Sequence, residues 1–258
     1  MSLEQILYLK KLKKEKILII SIQIFITLLF ILIWEFLSKY GIINSFIFSS
    51  PSKIIKCLYS LIIDNNLFYH IWITIKEILI SFILGSLIGF ILALLFYIIP
   101  ILKKIFDPFL TLINSLPKVS LGPLLIIWLG ANTSSIIVMS LLINTIVTLI
   151  SIYNGLINTD TTRIKMFKTF KATKLQTLIY LVIPHNKETI ISSLKLNISM
   201  SLIGVIMGEF LVSKAGIGYL ILYGTQVFNL NLVMSGIVLI MIISFNIYEL
   251  ICFLDKKK

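Results

Sequence analysis

The sequence predicts an all-α, polytopic membrane protein with six transmembrane helices, and three observations carry that prediction. Of its 258 residues, 58% are hydrophobic and only 13% charged, about half the charge of an ordinary soluble domain. Mean hydropathy is +1.04, an apolar surplus that a chain of this size has too little interior to bury, so lipid must act as solvent. The apolar residues also fall in uncharged runs long enough to cross a hydrocarbon core of about 30 Å.

The elements follow in order. Residues 1–47 hold a basic segment with Lys10, Lys11, Lys13, Lys14 and Lys16, then the first span, Ile17 to Trp34. That run is longer than the apolar core of a signal peptide and ends in Trp34-Glu35-Phe36 without small residues, so it reads as a retained helix. Residues 48–70 are expected to form an external amphipathic helix, with Pro51 in its first turn and Ile54, Ile55, Leu58, Leu61 and Ile62 at helical spacing.

Residues 71–254 hold the remaining spans. Ile78 to Leu102 is uncharged, and so is Val119 to Thr159, a stretch twice what one span needs, with a turn at Gly130-Ala131-Asn132-Thr133. The third span starts near Asp107-Pro108 and includes Lys118; the fifth runs from Glu188 to Val212, and the sixth from Leu232 to Ile251. Residues 255–258 are a basic tail.

With the N-terminus in the cytoplasm, inside segments hold sixteen Lys and Arg and outside segments four, Lys39, Lys53, Lys56 and Lys214. This asymmetry predicts that both termini are cytoplasmic, in a multi-pass protein of the cell (plasma or inner) membrane. An excess of 23 Lys+Arg over 11 Asp+Glu would suggest nucleic acid in a soluble chain. Here the basic residues flank apolar runs and face membrane lipids, so no nucleic-acid partner is expected.

The same topology puts Cys57 outside and Cys252 inside, which excludes a disulfide between them, and separates His70 from His185, which excludes a two-histidine metal site. No HExxH, GxSxG, CxxC or GxxxxGK[ST] pattern occurs. The chain is therefore not expected to be an enzyme, to use a metal or cofactor, or to bind ATP alone.

Several features carry functional information. Between spans four and five, Lys165, Lys168 and Lys171 recur every third residue beside Phe167 and Phe170, which reads as one amphipathic helix with a basic edge. Such a helix suits anionic headgroups or a protein partner, and spacing does not separate the two. Gly85 and Gly89 form GxxxG, read as packing within the chain or as a dimer seam. Pro117 and Pro123 must kink or break the third span. Lys118 beside them lines a polar route or snorkels to an interface. Glu209 points to a polar cavity, to pairing as with Lys214, or to an interfacial acid, and Gly216 and Gly218 mark a tight turn.

The run Asp107-Pro108-Phe109, Asn114-Ser115-Leu116-Pro117-Lys118, Gly122-Pro123-Leu124 and Ile127-Trp128-Leu129-Gly130 resembles a signature of permease subunits of binding-protein-dependent ABC importers, specifically the sulfonate/nitrate/taurine branch. Ser50-Pro51-Ser52-Lys53, Thr74-Ile75-Lys76, Gly208-Glu209-Phe210 and Gly216-Ile217-Gly218-Tyr219-Leu220-Ile221 extend it from about Phe48 to Leu254. The resemblance implies a type I ABC importer permease fold whose coupling segment, near 163–184, seats on a separate ATPase. Its pattern of Glu-Ala-Ala, three residues and Gly, aligned through Ile183-Pro184, falls on Lys165, Met166, Phe167 and Lys171, so all four positions are replaced.

In this reading Lys165, Phe167, Lys168, Phe170, Lys171, Ala172 and Pro184 couple to the ATPase, with Pro184 ending the segment, while Pro117, Lys118 and Glu209 lie by the translocation pathway. The implied partners are cytoplasmic ABC ATPase subunits, an external solute-binding protein and a second permease subunit in a homodimer. The implied solute is a small anion such as a sulfonate, taurine or nitrate. The competing function is an ATP-independent secondary carrier or a small-solute binding membrane component.

Overall fold

The computed structural model describes residues 3–64 and 67–256; the tail lysines Lys257 and Lys258, and Asn65 and Asn66 of the expected external segment, lie outside them. The elements are α1 (Leu3–Lys39), α2 (Pro51–Asp64), α3 (Leu67–Ile98), α4 (Pro100–Ser115), a 3-10 turn (Lys118–Leu121), α5 (Gly122–Leu129) and α6 (Thr133–Ile157). After these come α7 (Thr161–Thr169), α8 (Lys174–Thr177), a π-helical turn (Leu178–Val182), α9 (Ile183–His185), α10 (Lys187–Val212), α11 (Ile217–Gln226) and α12 (Leu230–Lys256). No strand occurs among the described residues.

Among those residues, five helices are long and apolar enough to cross a membrane: Lys10–Lys39, Leu67–Ile98, Thr133–Ile157, Lys187–Val212 and Leu230–Cys252. A sixth span is present if α4 and the Lys118–Leu129 stretch, bent by 89° to each other, count as one. The second span starts earlier than its uncharged run: α3 begins at Leu67, so the boundary expected at residue 70 falls inside it, and Lys76 and Glu77 are helix-interior residues.

The chain divides into two compact units. In the smaller, which contains α1, α2 and Gly224–Ser235, the Glu35 carboxylate of α1 accepts hydrogen bonds from the Ser52 amide (3.0 Å) and hydroxyl (2.8 Å). It thereby satisfies an orphan donor in the first turn of α2, where Pro51 has none to offer. Ile54 and Leu61 of α2 are buried, while Ile55 and Ile62 are exposed. Ser49, at φ 57°, donates to Asn231 Oδ1 at 2.8 Å.

The larger unit is built on α3, α6 and α10. Helices in lipid gain no hydrophobic driving force from meeting each other, so close backbone approach and interhelical hydrogen bonds must hold them. Both are present. Asn144 Nδ2 of α6 donates to the Ser81 carbonyl of α3 (2.9 Å) and the Ser201 hydroxyl of α10 (2.7 Å). Asn197 Nδ2 of α10 donates to Ser86 Oγ of α3 (2.9 Å) and Thr148 Oγ1 of α6 (2.5 Å), and Ser201 Oγ donates back to Asn197 Oδ1 (3.1 Å). Ser81, Asn144, Thr148, Asn197 and Ser201 are all fully buried.

Small residues make this approach possible. A Cβ at Gly85 would collide with the Asn144 amide and one at Gly89 would lie 2.8 Å from Thr148 Cβ, so the GxxxG pair packs α3 against α6 within the chain. A Cβ at Gly204 would collide with Ser140 Cα. Apolar clusters flank the polar seam: Ile78, Ile136, Ile198 and Val205 on one side, and Ala93, Ile152, Leu156, Leu178 and Val182 on the other.

The turn between α5 and α6 forms at Gly130, whose φ is 83°, and Asn132 caps α6 by accepting from the Ser134 (2.9 Å) and Ser135 (3.3 Å) amides. At the seam, Gly204→Ala forces α6 and α10 apart, because the obstructing atom is backbone. We expect a loss of about 2 kcal/mol, measured as SDS-induced unfolding in mixed micelles; wild-type stability in that variant would show that the seam does not depend on this contact.

Candidate functional site

The basic segment after α6 folds as two helices around a corner, not as the single amphipathic helix its lysine spacing predicts. Asp160 caps α7 by accepting from the Thr162 amide at 2.8 Å, with Arg163 Nε 3.7 Å away. That amide, then the Thr162 hydroxyl and the Arg163 charge, hold the Asp160 carboxyl below the usual carboxylate range. Helix α7 then ends in a Schellman motif: the Lys171 amide donates to the Lys168 carbonyl (2.9 Å) and the Ala172 amide to the Phe167 carbonyl (3.2 Å), with Lys171 at φ 55°.

One residue later a capping box starts α8. Thr173 Oγ1 accepts from the Gln176 amide (3.2 Å), and Gln176 Oε1 accepts from the Thr173 amide (2.8 Å). Lys171 thus stands outside the helix that holds Lys165 and Lys168. It occupies, with a left-handed backbone, the position where the family resemblance puts glycine. A lysine accepts that geometry at a cost of about 1–2 kcal/mol relative to its ordinary region.

Phe170, on the corner, is 76% exposed, whereas Phe167 is half-buried. Lys165, Lys168 and Lys171 are exposed, and Ala172 is half-buried. Pro184 is exposed but does not end the segment: helical structure continues through His185. Its missing amide is absorbed by the widened turn before it, in which the Ile183 amide donates to the Leu178 carbonyl, five residues back. The segment is tied to the bundle by Asn186 Nδ2, which donates to Thr159 Oγ1 (2.6 Å) and the Val182 carbonyl (2.9 Å).

The third span is broken where its prolines predict. Pro117 disfavours a helical conformation for the residue before it, and Leu116 is extended at φ −65°, ψ 137°. Pro123 sits in the first turn of α5. Lys118 is half-buried, and its ammonium donates to the Asn114 carbonyl (3.2 Å) and to Asn114 Oδ1 (3.4 Å). The lysine therefore caps the C-terminal carbonyls of α4, where the helix dipole favours a cation.

Glu209 is fully buried, and its donors are not Lys214. Oε1 accepts from the Thr74 hydroxyl (2.6 Å) and Oε2 from the Gly218 amide (2.5 Å). Thr74 Oγ1 in turn accepts from the Ile217 amide (2.8 Å), and His70 Nδ1 from the Gly216 amide (3.0 Å). Side chains of α3 and α10 so satisfy the orphan amides at the start of α11. Gly216, at φ 111°, is required there, since a Cβ would strike the Glu209 carboxylate. Glu77 of α3 is buried as well, and its Oε2 has no hydrogen-bond partner among the described residues.

Residues 85–256 match the family model described as "Binding-protein-dependent transport system inner membrane component". A probable ABC transporter permease protein of Haemophilus influenzae is 29% identical over 84% of this chain and 88% of its own length. A putative aliphatic sulfonates transport permease protein of Bacillus subtilis is 23% identical over 88% of this chain and 82% of its own. Among solved structures, a chain of the MetNI methionine ABC transporter in inward-facing conformations shares the fold, with a TM-score of 0.61 and 18% identity over 74% of this chain and 93% of that one.

The corner at Lys171 responds to backbone chemistry in opposite directions. Lys171→Gly relieves left-handed strain and slows amide exchange at residues 171 and 172, while the β-branched Lys171→Val speeds it, the two differing by about 1–2 kcal/mol in opening free energy. Equal exchange in both variants would mean that the left-handed corner is not what closes α7.

Proposed function

The chain belongs to the family of binding-protein-dependent transport system inner membrane components and is the permease subunit of an ABC importer, and we propose that it conducts a small anion of the sulfonate, taurine or nitrate class through a route formed with a second copy of itself. In this reading ATP hydrolysis takes place on a separate subunit, an external binding protein delivers the solute, and both termini lie in the cytoplasm. The anionic class rests on the sulfonate relative and on the cation Lys118 at the broken span.

The single observation that carries the coupling role is the corner of α7 and α8. It presents Phe170, 76% exposed, between exposed lysines on both sides. A bare phenylalanine among cations fits a partner groove that is apolar at its centre and acidic at its rim. Phe170 is the anchor and Phe167 supports it; Lys165, Lys168 and Lys171 supply charge, Lys165 standing where the family pattern has its acid and Lys171 where it has its glycine. Ala172 and Pro184 frame the corner and the turn that follows.

The corner is also stiffly connected. Leu178 and Val182, just beyond it, pack with Ala93 of α3 and with Ile152 and Leu156 of α6. Displacement of the corner by closing ATPases then moves α3 and α6 as a body, which supports alternating access by rigid motion. At the far end of α6 lies the broken span, so Pro117 and Lys118 are the proposed pathway residues. Glu209, buried and capping α11, acts behind that route by fixing the turn before it.

The test is removal of the anchor. Phe170→Ala, combined with Phe167→Ala, weakens ATPase association by about 2 kcal/mol, roughly thirtyfold, and abolishes ATP-driven uptake while the permease still purifies as a monodisperse membrane protein. Wild-type association and uptake in the double variant would refute the coupling role, and uptake without nucleotide would favour a secondary carrier.

A further inference from the structure

Within the larger unit, α4 and α6 enclose a cleft of about 350 Å³, at the lower end of the range for small-molecule sites, about 300–1,000 Å³. Its α4 wall carries Lys103, Asp107, Thr111 and Asn114, and its α6 wall Tyr153 and Asn154. The four α4 residues fall on one stripe of the helix, and no residue of α4 is buried. A polar stripe on a helix of a broken span must be wetted or occupied, because lipid offers it no partner.

Two charges of opposite sign meet in this cleft. Lys103 pairs with Asp107 one turn on, and its ammonium also lies 5.4 Å from the centre of the Tyr153 ring. Lys103 is largely covered, with its side chain 21% exposed, whereas that of Asp107 is 59% exposed. At the other end, Asn114 receives Lys118, so the cleft reaches the break in the span.

An ion pair that is already closed makes a poor receptor for a simple anion. The anion must displace Asp107 from Lys103, and Asp107 is then left without a partner. A zwitterion avoids that loss: its anionic end takes Lys103 and its cationic end takes Asp107. We infer that this cleft is a solute site selective for small zwitterions that carry an anionic and a cationic group a short chain apart, read by Lys103 and Asp107 together. This rests on the transport reading above and narrows its solute class to taurine-like zwitterions, leaving out simple anions such as nitrate.

The test uses the intact permease–ATPase complex in nanodiscs without binding protein, with radiolabelled taurine as the zwitterion and unlabelled ethanesulfonate, the same sulfonate without its ammonium, as competitor. Taurine binds the wild type, and ethanesulfonate competes about tenfold or more less well than unlabelled taurine. Asp107→Asn and Lys103→Gln each weaken taurine binding about tenfold or more. Lys103→Arg keeps the charge and the binding, which separates loss of the site from loss of the fold. Equal taurine binding in all variants overturns the inference. So does absence of binding in a wild-type complex that still transports taurine when its binding protein is supplied. A wild-type complex that neither binds nor transports either sulfonate refutes the solute class itself, and the cleft assignment with it.

Discussion

Side-chain amides hold this bundle together where no water can replace them. Asn144 reaches α3 and α10 at once, and Asn197 reaches α3 and α6. Each amide joins three helices through hydrogen bonds whose loss would leave polar atoms in hydrocarbon. Model helices assign such bonds only about 1–2 kcal/mol apiece, yet they also set register: a shift of one turn along α6 would separate Asn144 from both partners. Gly85 and Gly204 are the geometric counterpart, because the amides meet only where backbones come close.

That seam positions what lies at the ends of α6. At one end Asn132 caps the helix just after the broken span; at the other the chain passes Thr159 and Asp160 into the α7 corner. The corner is tied back by Asn186 to Thr159 and by Leu178 and Val182 to the apolar cluster. A bundle locked in register along its length and carrying the exposed Phe170 at one end suits motion as a body. The Glu209 clamp on α11 follows the same logic, since buried side chains do the work of solvent at a helix start.

The architecture was readable from the sequence because lipid imposes simple rules: uncharged runs mark spans, Pro117 and Pro123 mark the break, and Gly130 with Asn132 marks the turn. The start of α3 was not, since Lys76 and Glu77 look like span flanks, although both lie within the helix, Lys76 exposed and Glu77 buried. Nor was the α7 corner. Glycine is the usual signal for a left-handed cap, and Lys171 continues the every-third-residue lysine pattern of a helix edge. The partners of Glu209 come from α3 and from the turn it caps, and the Lys103–Asp107 pair, visible as a spacing, gains its setting only from Tyr153 and Asn154 on another helix. Side chains brought together by packing leave no local trace.

The proposed coupling depends most on the α7 corner facing the cytoplasm and meeting an ATPase there. The direct measurement is labelling of a Phe170→Cys variant, with Cys57 and Cys252 changed to serine, by a membrane-impermeant maleimide. A cytoplasmic docking corner gives no labelling in intact cells, labelling in inverted vesicles stripped of ATPase, and protection when the ATPase is restored. Labelling from the exterior of intact cells, or labelling in stripped vesicles that added ATPase does not change, would contradict it.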